Sequence, residues 1–290
     1  MDSQQPDWEA VMTTTTEQHV ATEYVERDGG LIAYDDTHSS GPLVVAVPGM
    51  GDLRQEYRFM APRLVEAGFR VVTMDLRGHG ESSIGWASYT PEDAADDIAA
   101  LIESLGGGKA VLVGTSWAAA AIAIAAAERP DLVAGLIMAG PFVRDVPISK
   151  MQALMLKVLL VRPWGPWAWA MYYNSLYPTH KPDGLDAYRK ALKANLSERG
   201  RFEALKAVAA APKDGAWKRL GGLSVPTLVL MGTKDPDHKD PEAEAKLIAD
   251  RTHGSYTMLE GAGHYPHAEM PNEAVARIVA FLRNEAFPGT

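Results

Sequence analysis

Short runs of apolar residues recur along the chain, separated by stretches with helical spacing. The runs are Leu43–Val47, Arg70–Met74, Ala110–Val113, Leu132–Met138, Thr227–Met231 and Tyr256–Leu259. Several are near-continuous Val, Leu, Ile and Ala, the pattern of strands covered on both faces by helices. Between two of them, Ile98, Leu101, Ile102 and Leu105 fall at i, i+3, i+4 and i+7, one face of a helix over Pro91–Leu105. Thr90 followed by Pro91 supplies an N-cap and a first-turn proline. Val275, Ile278, Val279 and Leu282 repeat the helical spacing near the C-terminus. Strand and helix in alternation predict an α/β fold with a doubly wound, mainly parallel sheet. Thr22–Glu26 and Leu31–Tyr34, joined through Asp28-Gly29-Gly30, predict an antiparallel hairpin leading into it.

The alternation stops between about Asp145 and Leu220, where Trp164, Trp167, Trp169, Tyr172 and Tyr173 sit among helix-like stretches with no convincing strand. The simplest division is a loose tail over 1–19, a core over 20–144 and 221–290, and a helical lid over 145–220. The stretch Met151–Tyr173 is the most apolar, but Lys157, Arg162, Pro163, Gly165 and Pro166 interrupt it. A membrane span needs about 20 mostly apolar residues, so none is expected. The acidic, Thr-rich N-terminus lacks the basic and apolar regions of a secretory signal, and the reading is a soluble, cytoplasmic protein.

A net charge of −9 argues against a nucleic-acid partner, which calls for clustered Lys and Arg. With no cysteine, the chain has no disulfide, no thiolate nucleophile and no Cys-ligated zinc. The nucleophile must be sought elsewhere. Ala110-Val-Leu-Val-Gly114-Thr115-Ser116-Trp117-Ala118 is an apolar strand running into a small-residue turn and then an Ala-rich helix. A serine on such a bend is lifted clear of the sheet beside the helix N-terminus. The alternative role for Ser116 is to cap that helix.

Acyl transfer builds negative charge on a carbonyl oxygen, and two backbone N–H groups can stabilise it. Trp117, after the serine, is one expected donor. Met50, flanked by Gly49 and Gly51 in the loop after Leu43–Val47, is the other, unless this is an ordinary glycine-rich turn. A histidine is the natural base because it titrates near neutrality. Of eight, His264 stands out in Glu260-Gly-Ala-Gly-His264-Tyr-Pro-His267, just after a strand. Functional groups of open α/β sheets collect at that edge. His267 is read as a helix-entry or surface residue, His79 as structural, and His180, His238 and His253 as solvated. The orienting carboxylate is assigned to Asp235, at the end of Thr227–Met231, with Asp237 as second choice and Asp240 as a helix cap. Asp235, Asp237 and His238 also suggest a metal cluster. Lacking a second cluster, the segment is read as an acidic loop, and neither a metal nor a cofactor is expected.

The chain order Ser116, Asp235, His264 resembles that of α/β hydrolases. Asp75-Leu-Arg-Gly78-His79-Gly80-Glu81-Ser82 resembles the D-x-R-G-x-G-x-S turn of the lid-bearing branch with esterases, epoxide hydrolases, haloalkane dehalogenases and cofactor-free haloperoxidases. Gly232-Thr-Lys-Asp235 and Gly263-His264-Tyr-Pro match that branch's acid and histidine turns. The resemblance covers roughly residues 22–143 and 222–286, and not the lid. Two positions depart from the pattern: Ala118 stands for the usual second glycine of the nucleophile turn, and Pro48-Gly49 for the usual His-Gly. The resemblance implies a serine hydrolase acting on a small-molecule carboxylic ester of small to medium apolar character. Perhydrolysis and C–C bond hydrolysis use the same residues and stay open, as does a ligand receptor built on the scaffold.

Overall fold

A computed structural model describes residues 21–106, 108–145, 151, 154 and 158–289, so the tail and parts of the region read as a lid lie outside it. Eight strands form one sheet: β1 (Thr22–Arg27), β2 (Gly30–Asp36), β3 (Leu43–Val47), β4 (Arg70–Met74), β5 (Ala110–Thr115), β6 (Val133–Ala139), β7 (Thr227–Gly232) and β8 (Ser255–Leu259). Their order is β1-β2-β4-β3-β5-β6-β7-β8. The β1–β2 and β2–β4 pairs are antiparallel, and all later pairs are parallel.

The continuous apolar runs are explained by burial on both faces. In β3, Val45 and Val47 face one core while Val44 and Ala46 face the other. On the first side lie α2 (Pro91–Ser104) and α3 (Ala118–Glu128). Thr90 caps α2 by accepting from the Asp93 N–H, and the Asp93 carboxylate accepts from the Thr90 N–H in return. Every residue of α3 from Ala118 to Ala126 is buried, and its alanines let it lie close to the sheet. The opposite face is covered by α1 (Met60–Glu66) and a C-terminal helix bearing Ala274, Val275, Ile278 and Phe281.

Between β6 and β7 the described residues form α4 (Gly165–Ser175), α5 (Leu185–Ser197), α6 (Arg201–Ala210) and α7 (Asp214–Leu220), with no strand. Ala216 and Leu220 of α7 pack into the core beneath α2 and α3. Within the tryptophan group, Trp169 is buried against Leu196, Phe202 and Leu205, whereas Trp164 and Trp167 are exposed. After β7 come α8 (Pro241–Thr252), α9 (Pro266–Glu269) and α10 (Pro271–Phe281). Among the described residues no helix is long and apolar enough to cross a membrane.

The strand order fixes where a site can form. From β3 the chain moves outward to β4, then crosses back to place β5 on the other side of β3. The connections after β3 and β5 therefore diverge, opening a crevice at their carboxyl ends. Met50 follows β3 and Ser116 follows β5.

Candidate active site

Ser116 has φ of 55°, in the left-handed region. For a residue with a Cβ this costs roughly 1–2 kcal/mol, so surrounding contacts must hold it there. They do: its N–H donates to the Ala139 carbonyl (2.8 Å) and its carbonyl accepts from the Phe142 N–H (3.0 Å). Gly114 makes the turn sterically feasible, since a Cβ there would lie 2.9 Å from the Ala118 carbonyl oxygen. Gly49 lies against the serine, and a Cβ on it would approach the Ser116 Cβ to 3.3 Å and the Tyr265 hydroxyl to 3.6 Å. Thus the loop after β3, the serine turn and the histidine loop meet.

The N–H groups of Met50 and Trp117 find no acceptor among the described residues. Beneath them the Gly49 N–H donates to Glu56 (3.2 Å), and the Asp52 N–H donates to the Gly49 carbonyl (3.2 Å). The Trp169 indole from α4 donates to the Gly51 carbonyl (3.2 Å), and the Tyr188 hydroxyl from α5 donates to Asp52. This loop is braced by a carboxyl on one side and by α4 and α5 on the other. Glu56, Asp52 and Tyr188 had no signal in the sequence, because isolated polar residues in a loop carry no local mark of burial.

His264 and Asp235 are joined Nδ1 to Oδ2 at 2.8 Å, both fully buried. Burial alone would lower the imidazole and raise the carboxyl, but each is outweighed by the other's opposite charge. His264 is raised to about 9 and Asp235 held below the usual carboxylate range. The second oxygen of Asp235 accepts from the Asp237 N–H (2.9 Å). The histidine loop is tied down by Glu269, which accepts from the N–H groups of Gly263 (2.7 Å), Thr179 (3.0 Å) and His180 (2.7 Å). The His264 N–H donates to the Leu176 carbonyl (3.0 Å), so the segment following α4 also touches this loop. Among the described residues no hydrogen bond links the Ser116 hydroxyl to His264. Such bonds are often open in unliganded sites and tighten with substrate.

Two histidines differ from the sequence reading. The side chain of His238, read as solvated, keeps only 7% exposure: it stacks on Phe142 (4.5 Å between centroids), and its Nε2 lies 3.9 Å from Asp235 Oδ2. Burial lowers its basicity. His267 does sit at a helix entry, in the first turn of α9, but it is buried and not on the surface. Its Nε2 lies 2.8 Å from Glu56 Oε1, an ion-pair distance, yet burial pushes Glu56 up to about 7 and His267 down to about 3. Both shifts run toward the uncharged forms, opposite to what an ion pair would produce. His79 is buried with Nδ1 on the Arg77 carbonyl (3.0 Å), a structural role as read. Asp75 explains its own motif, accepting from the N–H groups of Arg54 (2.8 Å) and Glu81 (3.0 Å) and pairing with the Arg54 guanidinium. Asp235, His238 and His264 offer cation ligands within 4.8 Å of one another, although Asp235 Oδ2 is already engaged by His264.

Residues 44–278 match the family model described as the alpha/beta hydrolase family. Among curated relatives, the chain is 34% identical over 116 residues to a 2-(acetamidomethylene)succinate hydrolase of Mesorhizobium japonicum, covering 39% of this chain and 41% of that protein. It is 32% identical over 108 residues to epoxide hydrolase B of Mycobacterium tuberculosis, covering 37% and 30%. The chain thus spans less than half the length of these two relatives. A solved esterase from Thermogutta terrifontis superposes with a TM-score of 0.77 at 28% identity, covering 91% of this chain and 98% of the other. The match extends over most of the sheet and over every loop that meets at the crevice, and the chain is a member of the alpha/beta hydrolase family.

Proposed function

We propose that this hydrolase cleaves carboxylic esters of small to medium apolar substrates through an acyl-enzyme on Ser116. The observation that carries the reading is the strained Ser116 turn at the switch point, beside a buried His264–Asp235 pair and two unspent backbone N–H groups. In the first step His264 takes the Ser116 proton as the oxygen attacks the ester carbonyl. The N–H groups of Met50 and Trp117 stabilise the oxyanion, a contribution of roughly 3–4 kcal/mol per donor in comparable sites. The leaving alcohol receives the proton from His264. Water then enters, gives its proton to His264, and attacks the acyl carbonyl to release the acid and restore Ser116. Asp235 fixes the imidazole tautomer and stabilises the imidazolium.

A serine argues against the epoxide-opening chemistry named for the Mycobacterium relative, since an alkyl-enzyme ester requires a carboxylate nucleophile. The helices between β6 and β7 act as the lid, and Trp169 and Tyr172 place aromatic surface next to the loop after β3. The test is a panel of nitrophenyl esters of increasing acyl length, assayed on the protein and on Ser116→Ala. The highest kcat/KM should fall among short and medium acyl groups, with turnover lost in the variant. Turnover surviving the substitution overturns the assignment of the nucleophile.

A further inference from the structure

The His264 ring is bracketed by two carboxylates. Asp235 binds Nδ1, while Asp237 Oδ2 stands 3.9 Å from Nε2, the nitrogen that faces the reacting atoms in the mechanism above. Asp237 is held in place: its N–H is bonded to Asp235, and its carboxylate accepts from the Tyr172 hydroxyl of α4. Its side chain keeps 19% exposure where that of Asp235 has none. Among the described residues, no Lys or Arg pairs with either carboxylate. His238 beside them is shifted toward its neutral form by burial. The site therefore carries more negative charge than its one imidazole can balance.

We propose that Asp237 is a specificity-determining residue that selects substrates by charge, favouring esters with a neutral or cationic alcohol and turning away those with an anionic one. The inference rests on the ester-hydrolase reading. To take a proton from Nε2, the leaving oxygen must come within about 3 Å of it, hence within about 7 Å of Asp237 Oδ2. That is inside a Debye length at physiological salt, so a charge on the leaving group feels the carboxylate directly.

The test compares three thioacetates: acetylthiocholine, its uncharged 3,3-dimethylbutyl isostere, and the carboxyethyl analogue. Thiol release is read colorimetrically, with no background from a chain that lacks cysteine. In the wild type, kcat/KM should run cationic, neutral, anionic, and the cationic-to-anionic ratio should shrink as salt is raised. Asp237→Asn should lower that ratio at least tenfold, a readout in which any loss of folded or active protein cancels. Tyr172→Phe, which keeps the charge, should preserve the sign of the preference. An anionic ester cleaved as fast as the neutral one by the wild type, or an unchanged ratio in Asp237→Asn, overturns the proposal. Ser116→Ala separates the two readings: turnover that survives it sinks the esterase mechanism, whereas an unchanged charge ratio with a silent Ser116→Ala sinks only the filter.

Discussion

At the scale of single residues, the proposed mechanism makes the His264–Asp235 pair set the pH dependence. His264 must be unprotonated to accept the serine proton, and Asp235 raises its affinity for that proton to about 9. Activity is therefore lost as the pH falls through that value, and the acid limb of kcat/KM should lie well above the ordinary histidine value of about 6.5. Asp235→Asn should shift that limb downward and reduce kcat by about 10⁴-fold, the loss seen when a triad histidine is left in the wrong tautomer. An unshifted limb would detach the carboxylate from the base. Glu56 is a second test. It holds the Gly49 N–H from a fully buried position, where the family's usual histidine is replaced by Pro48. Glu56→Gln keeps an acceptor and should retain kcat to within about threefold. Glu56→Leu should lower kcat by roughly tenfold or more with a smaller change in KM, since a loosened donor stabilises the oxyanion less. Equal effects of the two substitutions would reduce Glu56 to a packing residue.

At the scale of elements, the sheet was legible and the buried polar contacts were not. Six core strands lie within a residue or two of their apolar runs, and for all but the half-exposed edge strand β8 the reason is that a strand covered on both faces must be apolar throughout. The Thr90 cap and the hairpin at Gly29-Gly30 were equally plain, being local chemistry. Nothing local distinguishes His238 or His267 from a solvated histidine; what buries them is Phe142 in one case and Tyr57 with Glu56 in the other, far away in sequence. The same holds for Glu269, whose three N–H partners come from two separate loops. Packing at this scale is testable through Ile98 on α2, fully buried against the sheet. Ile98→Ala should cost roughly 2–5 kcal/mol in urea unfolding while leaving kcat unchanged. Gly114→Val should hurt both, because its side chain would press on the Ala118 carbonyl and on Ile122, and so disturb the serine turn. A Gly114→Val protein of full activity would mean that the turn does not depend on this close approach.

Across the whole molecule, three loops that are remote in sequence arrive at one crevice because the strand order reverses between β3 and β5. The segment between β6 and β7 contacts the loops there, with Trp169 on the loop after β3, Tyr172 on Asp237 and the Leu176 carbonyl on the His264 N–H. This segment thus touches the loop after β3, the Asp237 segment and the His264 loop. The proposed chemistry reduces to one covalent bond, between the Ser116 oxygen and an acyl or phosphonyl group. Intact mass and peptide mapping after treatment with a fluorophosphonate read it directly. A single adduct on the peptide containing Ser116, lost in Ser116→Ala together with ester turnover, is the predicted result. A label at another residue that tracks activity, or full turnover in a protein whose Ser116 is fully modified, would contradict it.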